Sequence, residues 1–393
     1  MQASPDLSTQ MPELLRASIN PAIVLWARGI AGFSQEEAAA KVGVSQLRLA
    51  AWEEGTGQPT VRQARLLGKA YHRPAAFFYL AKPPEEPPDL PDFRRLAGSQ
   101  LGRNPQFTRE IRRARYRRQI ALDVTSVQGE QAREFTPKLS MRADPTTSGA
   151  KLREALGISP EEQYAWGDAY EALASWTRAA EGVGALVFQF GRIDVGIARG
   201  FSIVERPLPA VSLNAKDAPT ARVFTLMHEL AHLALAQPGI CDLHEGKPDF
   251  PIETYCNAVA AEALVPAAGF LAQIEVMGVA SPVGWSDGDI KHLARRFSVS
   301  REVILRRLLE LGKTTQSFYR KMRAELLEEY KQIQSTGGFL LYHKKIIRDN
   351  GPAFTSLILN AYYQQAISAV DLSRYLGGLH LSHLGTIEQE LLA

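Results

Sequence analysis

The feature that most constrains this sequence is a His-Glu-x-x-His motif inside an apolar stretch without glycine or proline, Leu226 to His232. Such a stretch is expected to be helical. Four residues make roughly one helical turn, so His228 and His232 share one face and can hold one metal ion. Glu229 follows the first histidine, where it can take a proton from a water at the open side of that ion. The motif is typical of zinc-dependent hydrolases, most often peptidases.

A catalytic zinc usually has three protein ligands and one water, so a third ligand is expected. Residues 251–266 are helical in pattern and lie between two prolines. Glu253 is at the start of this segment, and Asn257 lies one turn later on the same face. Glu262, two further turns on, and His244 in the preceding loop are the alternatives. The sequence therefore predicts Glu253 as the third ligand and leaves the other two open.

Composition indicates a globular protein of two or three domains. The chain has 393 residues, of which 45% are hydrophobic and 22% charged, with a net charge of +3. No stretch approaches the ~20 apolar residues of a membrane span. No secretory signal is visible at the N-terminus, so a cytoplasmic location without membrane partners is expected. The two cysteines, Cys241 and Cys256, are therefore expected to be free thiols rather than a disulfide or metal ligands.

The N-terminal segment has the local signals of two short helices around a tight turn. Ser34 and Glu37 form a capping box, Gly43 permits the turn, Ser45 begins the next helix and Gly55 ends it. This is the helix-turn-helix pattern.

Five short motifs in this segment resemble the XRE (Cro/repressor-like) DNA-binding family. They are Trp26–Arg28, Ser34–Ala39, Val42–Ser45, Trp52–Gly55 and Pro59–Thr60. In that family the N-terminal residues of the second helix of the motif enter the major groove. The resemblance implies four DNA contacts: Gln35, Ser45, Gln46 and Arg48.

One position departs from the usual polar recognition face. Leu47 is expected to face the groove, although it is apolar. Base-specific DNA recognition and a helix-turn-helix bundle kept for protein contacts both remain open. Trp26 and Trp52 are expected to be core residues.

A proline-rich linker and a basic helix follow. Residues 82–91 contain five prolines, which favours an extended chain. Residues 101–120 then contain seven arginines against Glu110 alone. Such a helix is typical of a surface that faces nucleic acid, but it equally fits a linker helix whose arginines pair within the fold.

The central region combines helices with a few strands. Helical patterns cover residues 150–156 and 161–180, and three segments rich in β-branched and aromatic residues are expected strands: 184–190, 200–204 and 209–214. A small sheet beside the His-Glu-x-x-His helix could bind a substrate backbone along its edge. Residues 286–312 are expected to be helices packed under the site, with a spacing that hints at a second helix-turn-helix. The last helices, 351–393, fit a dimerisation or sensor subdomain.

The expected fold class is mostly α (α+β): an N-terminal helix-turn-helix bundle, a central zincin-like peptidase domain with a small β-sheet, and a helical C-terminal region. The expected domains are a helix-turn-helix domain (20–84), a linker with the basic helix (85–148), a peptidase domain (149–280), a helix-turn-helix-like segment (281–335) and a C-terminal subdomain (336–393).

Two segments resemble the ImmA/IrrE metallopeptidase family: Ala221–His232, which follows a strand ending at Asn214, and Ile252–Pro266. With the upstream XRE segment, the resemblance covers roughly residues 20–80 and 180–312. It implies a zinc cofactor.

By position, the resemblance implies that His228, His232 and Glu253 bind zinc and that Glu229 is the general base. It also implies regulatory proteolysis, in which a transcriptional repressor or a partner toxin is the protein substrate and stress or mobile-element genes are controlled. Because the helix-turn-helix lies in the same chain, DNA is an expected partner and a homodimer is possible. The alternative is an XRE-type regulator or antitoxin whose zinc site is structural or sensory.

Overall fold

The computed structural model describes residues 15–71, 73–84, 104–236, 240–241, 251–279, 281–333 and 340–392. The chain divides into two compact units, and within the described residues the division falls between Arg112 and Arg113, inside one long helix. The expected linker lies outside the described residues beyond Pro84. His244 and the loop around it also lie outside them.

The first unit is a bundle of short helices. It contains α1 (Pro21–Ala31), α2 (Gln35–Val42), α3 (Gln46–Glu54), α4 (Val61–Tyr71) and a 3₁₀ turn, Ala75–Tyr79. The predicted capping box between Ser34 and Glu37 is present at the start of α2. Gly43 and Gly55 end α2 and α3 with positive φ values of 74° and 79°, a conformation that glycine adopts at little cost.

The core of this unit is aromatic and aliphatic. Trp52, Tyr71 and Phe78 are buried in it. Trp52 is a core residue, as predicted. Trp26 is only half-buried and stacks on Phe77, with 5.5 Å between ring centroids.

The second unit contains most of the chain. Its helices are α5 (Pro105–Val127, which begins in the first unit), α6 (Pro145–Leu156), α7 (Pro160–Ala165), α8 (Ala169–Gly182), α9 (Pro219–Ala234), α10 (Pro251–Leu264), α11 (Ala267–Met277), α12 (Asp287–Arg296), α13 (Arg301–Glu310), α14 (Gln316–Ile333), α15 (Tyr342–Asn350), α16 (Pro352–Tyr363), α17 (Ala369–Tyr375) and α18 (Leu384–Leu392). Its strands are β1 (Leu186–Phe190), β2 (Gly200–Ile203), β3 (Ala210–Asn214) and β4 (Ile240–Cys241).

The three predicted strands are confirmed, but the single helix predicted over residues 161–180 is wrong. The chain forms α7 and α8 there, separated by a short break. Asp168 caps α8, because its Oδ1 accepts the backbone N–H groups of Tyr170 at 2.7 Å and Glu171 at 2.9 Å. An N-cap of this kind starts a new helix.

The sheet has the order β1-β3-β2-β4, with β1 parallel to β3 and β2 antiparallel to both of its neighbours. Helix α9 packs on β2 and β3. Gly200 makes this approach possible, since a Cβ atom there would lie 2.6 Å from Cγ2 of Thr225 and 3.0 Å from the carbonyl oxygen of Ser212. The sheet is therefore the support of the helix that carries the His-Glu-x-x-His motif.

Helices α12 and α13 pack into the same core as α9 and α10, as predicted. Leu293, Phe297, Ile304 and Leu308 are all fully buried in that core. The inner face of α13 thus packs in the core of the second unit.

The C-terminal helices begin against the sheet, where α15 packs along β1. The Asn350 side chain donates to the carbonyl oxygens of Ile346 and Leu376, at 2.9 and 3.2 Å, and so ties α15 to the end of α17. In the described part of the chain, no single helix is long and apolar enough to cross a membrane; α10 and α11, bent by 58° at their junction, meet that test only as a pair.

Helix α6 approaches α10 closely at Gly149. A Cβ atom at Gly149 would lie 2.5 Å from Cβ of Glu262 and 2.8 Å from the carbonyl oxygen of Val259. The second of these atoms belongs to the backbone of α10 and cannot rotate away. The close spacing of the two helices therefore requires a glycine, which has no side chain, at position 149.

We expect Gly149→Ala to lower the free energy of unfolding by about 1–3 kcal/mol, because the added methyl group overpacks the α6–α10 contact. Urea denaturation followed by circular dichroism measures this. Gly182→Ala is the matched control, since a Cβ atom at that exposed helical position meets nothing within 4 Å. A control that is destabilised as much as Gly149→Ala would contradict the argument.

Candidate metal centre

The two motif histidines lie in the most buried helix of the second unit. Every residue of α9 from Arg222 to Ala234 is buried. His228, Glu229 and His232 are all 0% exposed, although each carries a polar or ionisable side chain. Burying such groups is unfavourable unless they are paired or bind a metal ion.

Helix α10 brings a carboxylate to both histidines. Glu253 Oε2 lies 3.1 Å from Nε2 of His228, and Glu253 Oε1 lies 3.1 Å from Nε2 of His232. The two Nε2 atoms are 3.0 Å apart. One ligand atom from each of the three residues can be chosen so that all lie within 4.8 Å of one another.

This donor set fits a zinc ion. Zinc binds His nitrogen and carboxylate oxygen at about 2.0–2.2 Å, so neighbouring ligand atoms in a tetrahedral site are about 3.4 Å apart. The separations of 3.0–3.1 Å are close to that value. Two histidines and one glutamate would leave the fourth position open, and the Glu253 side chain, 18% exposed, keeps access to solvent.

The Glu253 carboxylate is held ionised. Burial raises its pKa, but hydrogen bonds and charge interactions with His228 and His232 outweigh that effect and lower the pKa to about 2. A carboxylate must be deprotonated to bind a metal ion.

Asn257 fixes the orientation of the first histidine. Its Oδ1 lies 2.9 Å from Nδ1 of His228. Because an amide oxygen can only accept, Nδ1 donates to it, and Nε2 is the ring nitrogen that faces Glu253 and would bind the zinc ion. The sequence showed that Asn257 shares a helix face with Glu253, but it gave no signal for this contact with α9.

The end of α10 is held by three buried side chains from other elements. Arg153 Nη1, Gln163 Nε2 and Arg307 Nε donate to the carbonyl oxygens of residues 263, 264 and 265, at 2.8, 2.9 and 3.0 Å. Terminal carbonyl groups of a helix lack partners within the helix, so these donors satisfy them. They fix where α10 ends, and through it the position of Glu253.

The rival ligand Glu262 lies elsewhere. Its Oε2 is ion-paired with Arg307, and its Oε1 accepts the backbone N–H of Ala267 at 3.1 Å. The structure thus brings Glu253, not Glu262, to the histidines. Cys256 is a buried free thiol, as expected. Burial raises its pKa, as do the nearby charges of Glu253 and Glu229, so it stays protonated at neutral pH.

The four predicted DNA contacts lie on α2 and the start of α3. Ser45, Gln46 and Arg48 are exposed, and Gln35 is partly exposed. The Ser45 hydroxyl caps α3 by accepting the backbone N–H of Arg48 at 3.3 Å. Leu47 is 84% exposed, which fits its predicted position on the outer face of the helix.

Several arginines of the basic helix α5 make contacts within the second unit. Arg117 is buried over the Phe188 ring, and Arg118 donates to the carbonyl oxygens of residues 205, 207 and 208 at 2.8–3.0 Å. Arg115 forms an ion pair with Glu205 at 3.7 Å. These contacts favour the structural interpretation of the arginines over a nucleic-acid surface.

Two segments of the chain match the models of known protein families. Residues 187–309 match the peptidase M78 family model, described as the IrrE N-terminal-like domain, and residues 25–78 match a helix-turn-helix family model. No curated protein and no solved structure matches the chain significantly. The two matches give a helix-turn-helix domain followed by an IrrE N-terminal-like domain, the arrangement that the sequence predicts.

We expect Asn257→Ala to weaken zinc binding about 10- to 100-fold, because His228 loses the acceptor that fixes its tautomer. Competition with a chromophoric chelator measures the affinity. Asn257→Asp keeps an acceptor at this position and is the matched control. Equal affinities for wild type and Asn257→Ala would show that the contact does not orient the ligand.

Proposed function

We propose that this chain, with its helix-turn-helix and IrrE N-terminal-like domains, is a zinc-dependent endopeptidase that controls transcription by cleaving a regulatory protein. The observation that carries the proposal is the convergence of His228, His232 and Glu253, whose ligand atoms lie within 4.8 Å of one another. Glu229, buried and adjacent to the first histidine, completes the set of groups that peptide hydrolysis needs.

Each residue of the site has a distinct proposed role. His228, His232 and Glu253 would hold the zinc ion, and Asn257 orients His228. When bound, zinc polarises a carbonyl oxygen and makes water a stronger acid. Glu229 would accept the proton of the attacking water and deliver it to the nitrogen of the leaving amine.

The substrate class follows from the fusion of the two domains. A helix-turn-helix in the same chain supports a role in transcription, so a transcriptional repressor or a partner toxin is the proposed substrate, and stress or mobile-element genes are the proposed targets. Cytoplasmic location fits this role. The exposed N-terminal residues of α3 support direct binding of DNA.

The second candidate function is a DNA-binding regulator or antitoxin whose zinc site is structural or sensory. Two observations favour it: the exposed Gln46 and Arg48 on α3, and the complete burial of both histidines, which also fits a structural ion. The two candidates differ in whether Glu229 is needed for activity.

We expect Glu229→Gln to retain zinc and to cleave its substrate at least about 100-fold more slowly, because an amide cannot act as a general base. Purified wild type and variant are each added to a lysate from cells of the source organism that lack the gene. Mass spectrometry of labelled protein N-termini then identifies new cleavage sites and their rates of appearance.

The control is Glu154→Gln, an exposed glutamate on α6. It should produce the same new N-termini as the wild type. If Glu229→Gln produces them at the wild-type rate, Glu229 is not the general base. If zinc-loaded wild type produces none, the regulator with a structural zinc site becomes the better account.

A further inference from the structure

The C-terminal helices carry a groove whose apolar walls are exposed. It lies between α17 and the turn that follows it, and it has a volume of about 540 Å³. Its lining includes Val370, Arg374, Leu379, His380 and Leu381. Leu379 is buried, whereas Val370 is 74% exposed and Leu381 is 44% exposed. Exposed apolar side chains that share one concave surface are typical of a binding site. We call this surface the C-terminal groove.

Two arginines give the groove a positive charge. Arg374 lines it, and Arg113 of α5 lies against the turn after α17, since a Cβ atom at Gly377 would be 3.0 Å from Nη2 of Arg113. Asp371 is the acidic residue on the same helix, and its Oδ1 lies 2.7 Å from Nη2 of Arg374. An exposed ion pair of this kind contributes little, so it does not commit Arg374 to that partner. The groove therefore suits an apolar segment that carries negative charge.

The linker of the same chain contains such a segment, outside the described residues. Residues 85–93 read Glu-Glu-Pro-Pro-Asp-Leu-Pro-Asp-Phe, with four acidic residues and no basic one. Leu90 and Phe93 are its two large apolar residues. Its three prolines restrict the free chain, so docking costs less conformational entropy. Extended proline-containing segments bind apolar grooves in other proteins.

The chain is long enough for this contact. The described residues resume at Asn104, and Arg113 lies nine residues further on, which is about 14 Å along α5. The residues between Phe93 and Asn104 span up to about 35 Å when extended, at ~3.3 Å per residue. Phe93 is therefore within reach of the groove beside Arg113.

We propose that residues 85–93 dock in the C-terminal groove, with Leu90 and Phe93 against its apolar walls and the acidic residues near Arg374. The last helices thus hold the linker that follows the helix-turn-helix. This inference goes beyond the proposed function, because the contact requires neither zinc nor DNA.

Limited proteolysis of the full chain tests the docking, because chymotrypsin cleaves after Phe93 only while that residue is undocked. We expect Val370→Glu to raise the rate of cleavage at Phe93 at least about fivefold, since a charge replaces an apolar wall. Mass spectrometry identifies the cleaved bond. A glutamate in the first turn of α17 suits the helix dipole, and circular dichroism confirms that the variant is folded.

The matched control is Val276→Glu, which changes a valine that is 85% exposed on α11. This variant should be cleaved at Phe93 at the wild-type rate. If wild type is cleaved there as fast as Val370→Glu, the segment is not docked in the groove and the proposal is wrong.

The charges are tested by a double-mutant cycle. Arg374→Gln and the linker variant Asp89→Asn/Asp92→Asn should each raise the rate of cleavage at Phe93 at least about twofold at low salt. Combined in one chain, they should raise it by less than the product of the two effects, because they remove the same interaction. Effects that simply multiply would overturn the contact between these charges.

Protein concentration separates the two possible sources of the docked segment. Docking within one chain predicts protection of Phe93 that stays constant over about a hundredfold range of concentration. Protection that increases with concentration would assign the groove to the linker of a second copy and would overturn docking within the chain.

The test is independent of the proposed function. It can succeed in a chain that has no peptidase activity, and it can fail in one that is fully active.

Discussion

The second unit depends on the packing of two buried helices that bring ionisable groups together. Helix α9 buries His228, Glu229 and His232 completely, and the cost of burying such groups without partners is several kcal/mol each. The partner comes from α10, whose Glu253 contacts both histidines. The sheet under α9, the Gly149 contact and the donors that hold the end of α10 all maintain this packing. These contacts together hold α9 and α10 at a fixed distance from each other.

The two units apply one physical principle to different partners. In the second unit, the Asn257 oxygen accepts from Nδ1 of His228 and so fixes the orientation of the ring. In the first unit, the Arg28–Glu53 ion pair sets the amide of Gln35, and through it the amide of Gln46. In both cases a hydrogen bond that has only one possible direction orients the side chain that takes part in it. Such preorganisation removes part of the ordering cost of binding.

The local parts of this structure could be predicted from the sequence. The capping box at Ser34, the turn glycines Gly43 and Gly55, and the strands before α9 each carry their signal within a few residues. The break at Asp168 also had a local signal, since aspartate is a good N-cap, but the surrounding helical pattern concealed it. The family match likewise follows from short motifs.

Two tertiary questions were left open by the sequence, which favoured Glu253 without excluding Glu262 and gave two interpretations of the α5 arginines, because the deciding partners are distant in sequence. Glu253 and Glu262 lie on the same helix with similar local patterns. Arg307, more than forty residues further on, pairs with Glu262 and leaves Glu253 as the carboxylate beside the histidines. The arginines of α5 are a second example. Their number suggests a surface that binds nucleic acid, but Arg118 instead contacts backbone carbonyl groups some ninety residues away in the sequence.

The most direct test of the central claim is the zinc content of the purified protein, measured by mass spectrometry after dialysis. The account predicts about one zinc ion per chain in wild type and in Glu262→Gln, and little zinc in His228→Ala and Glu253→Ala. Circular dichroism shows whether each variant is folded. A wild type without zinc, or a folded Glu253→Ala variant that retains the full amount, would contradict the account.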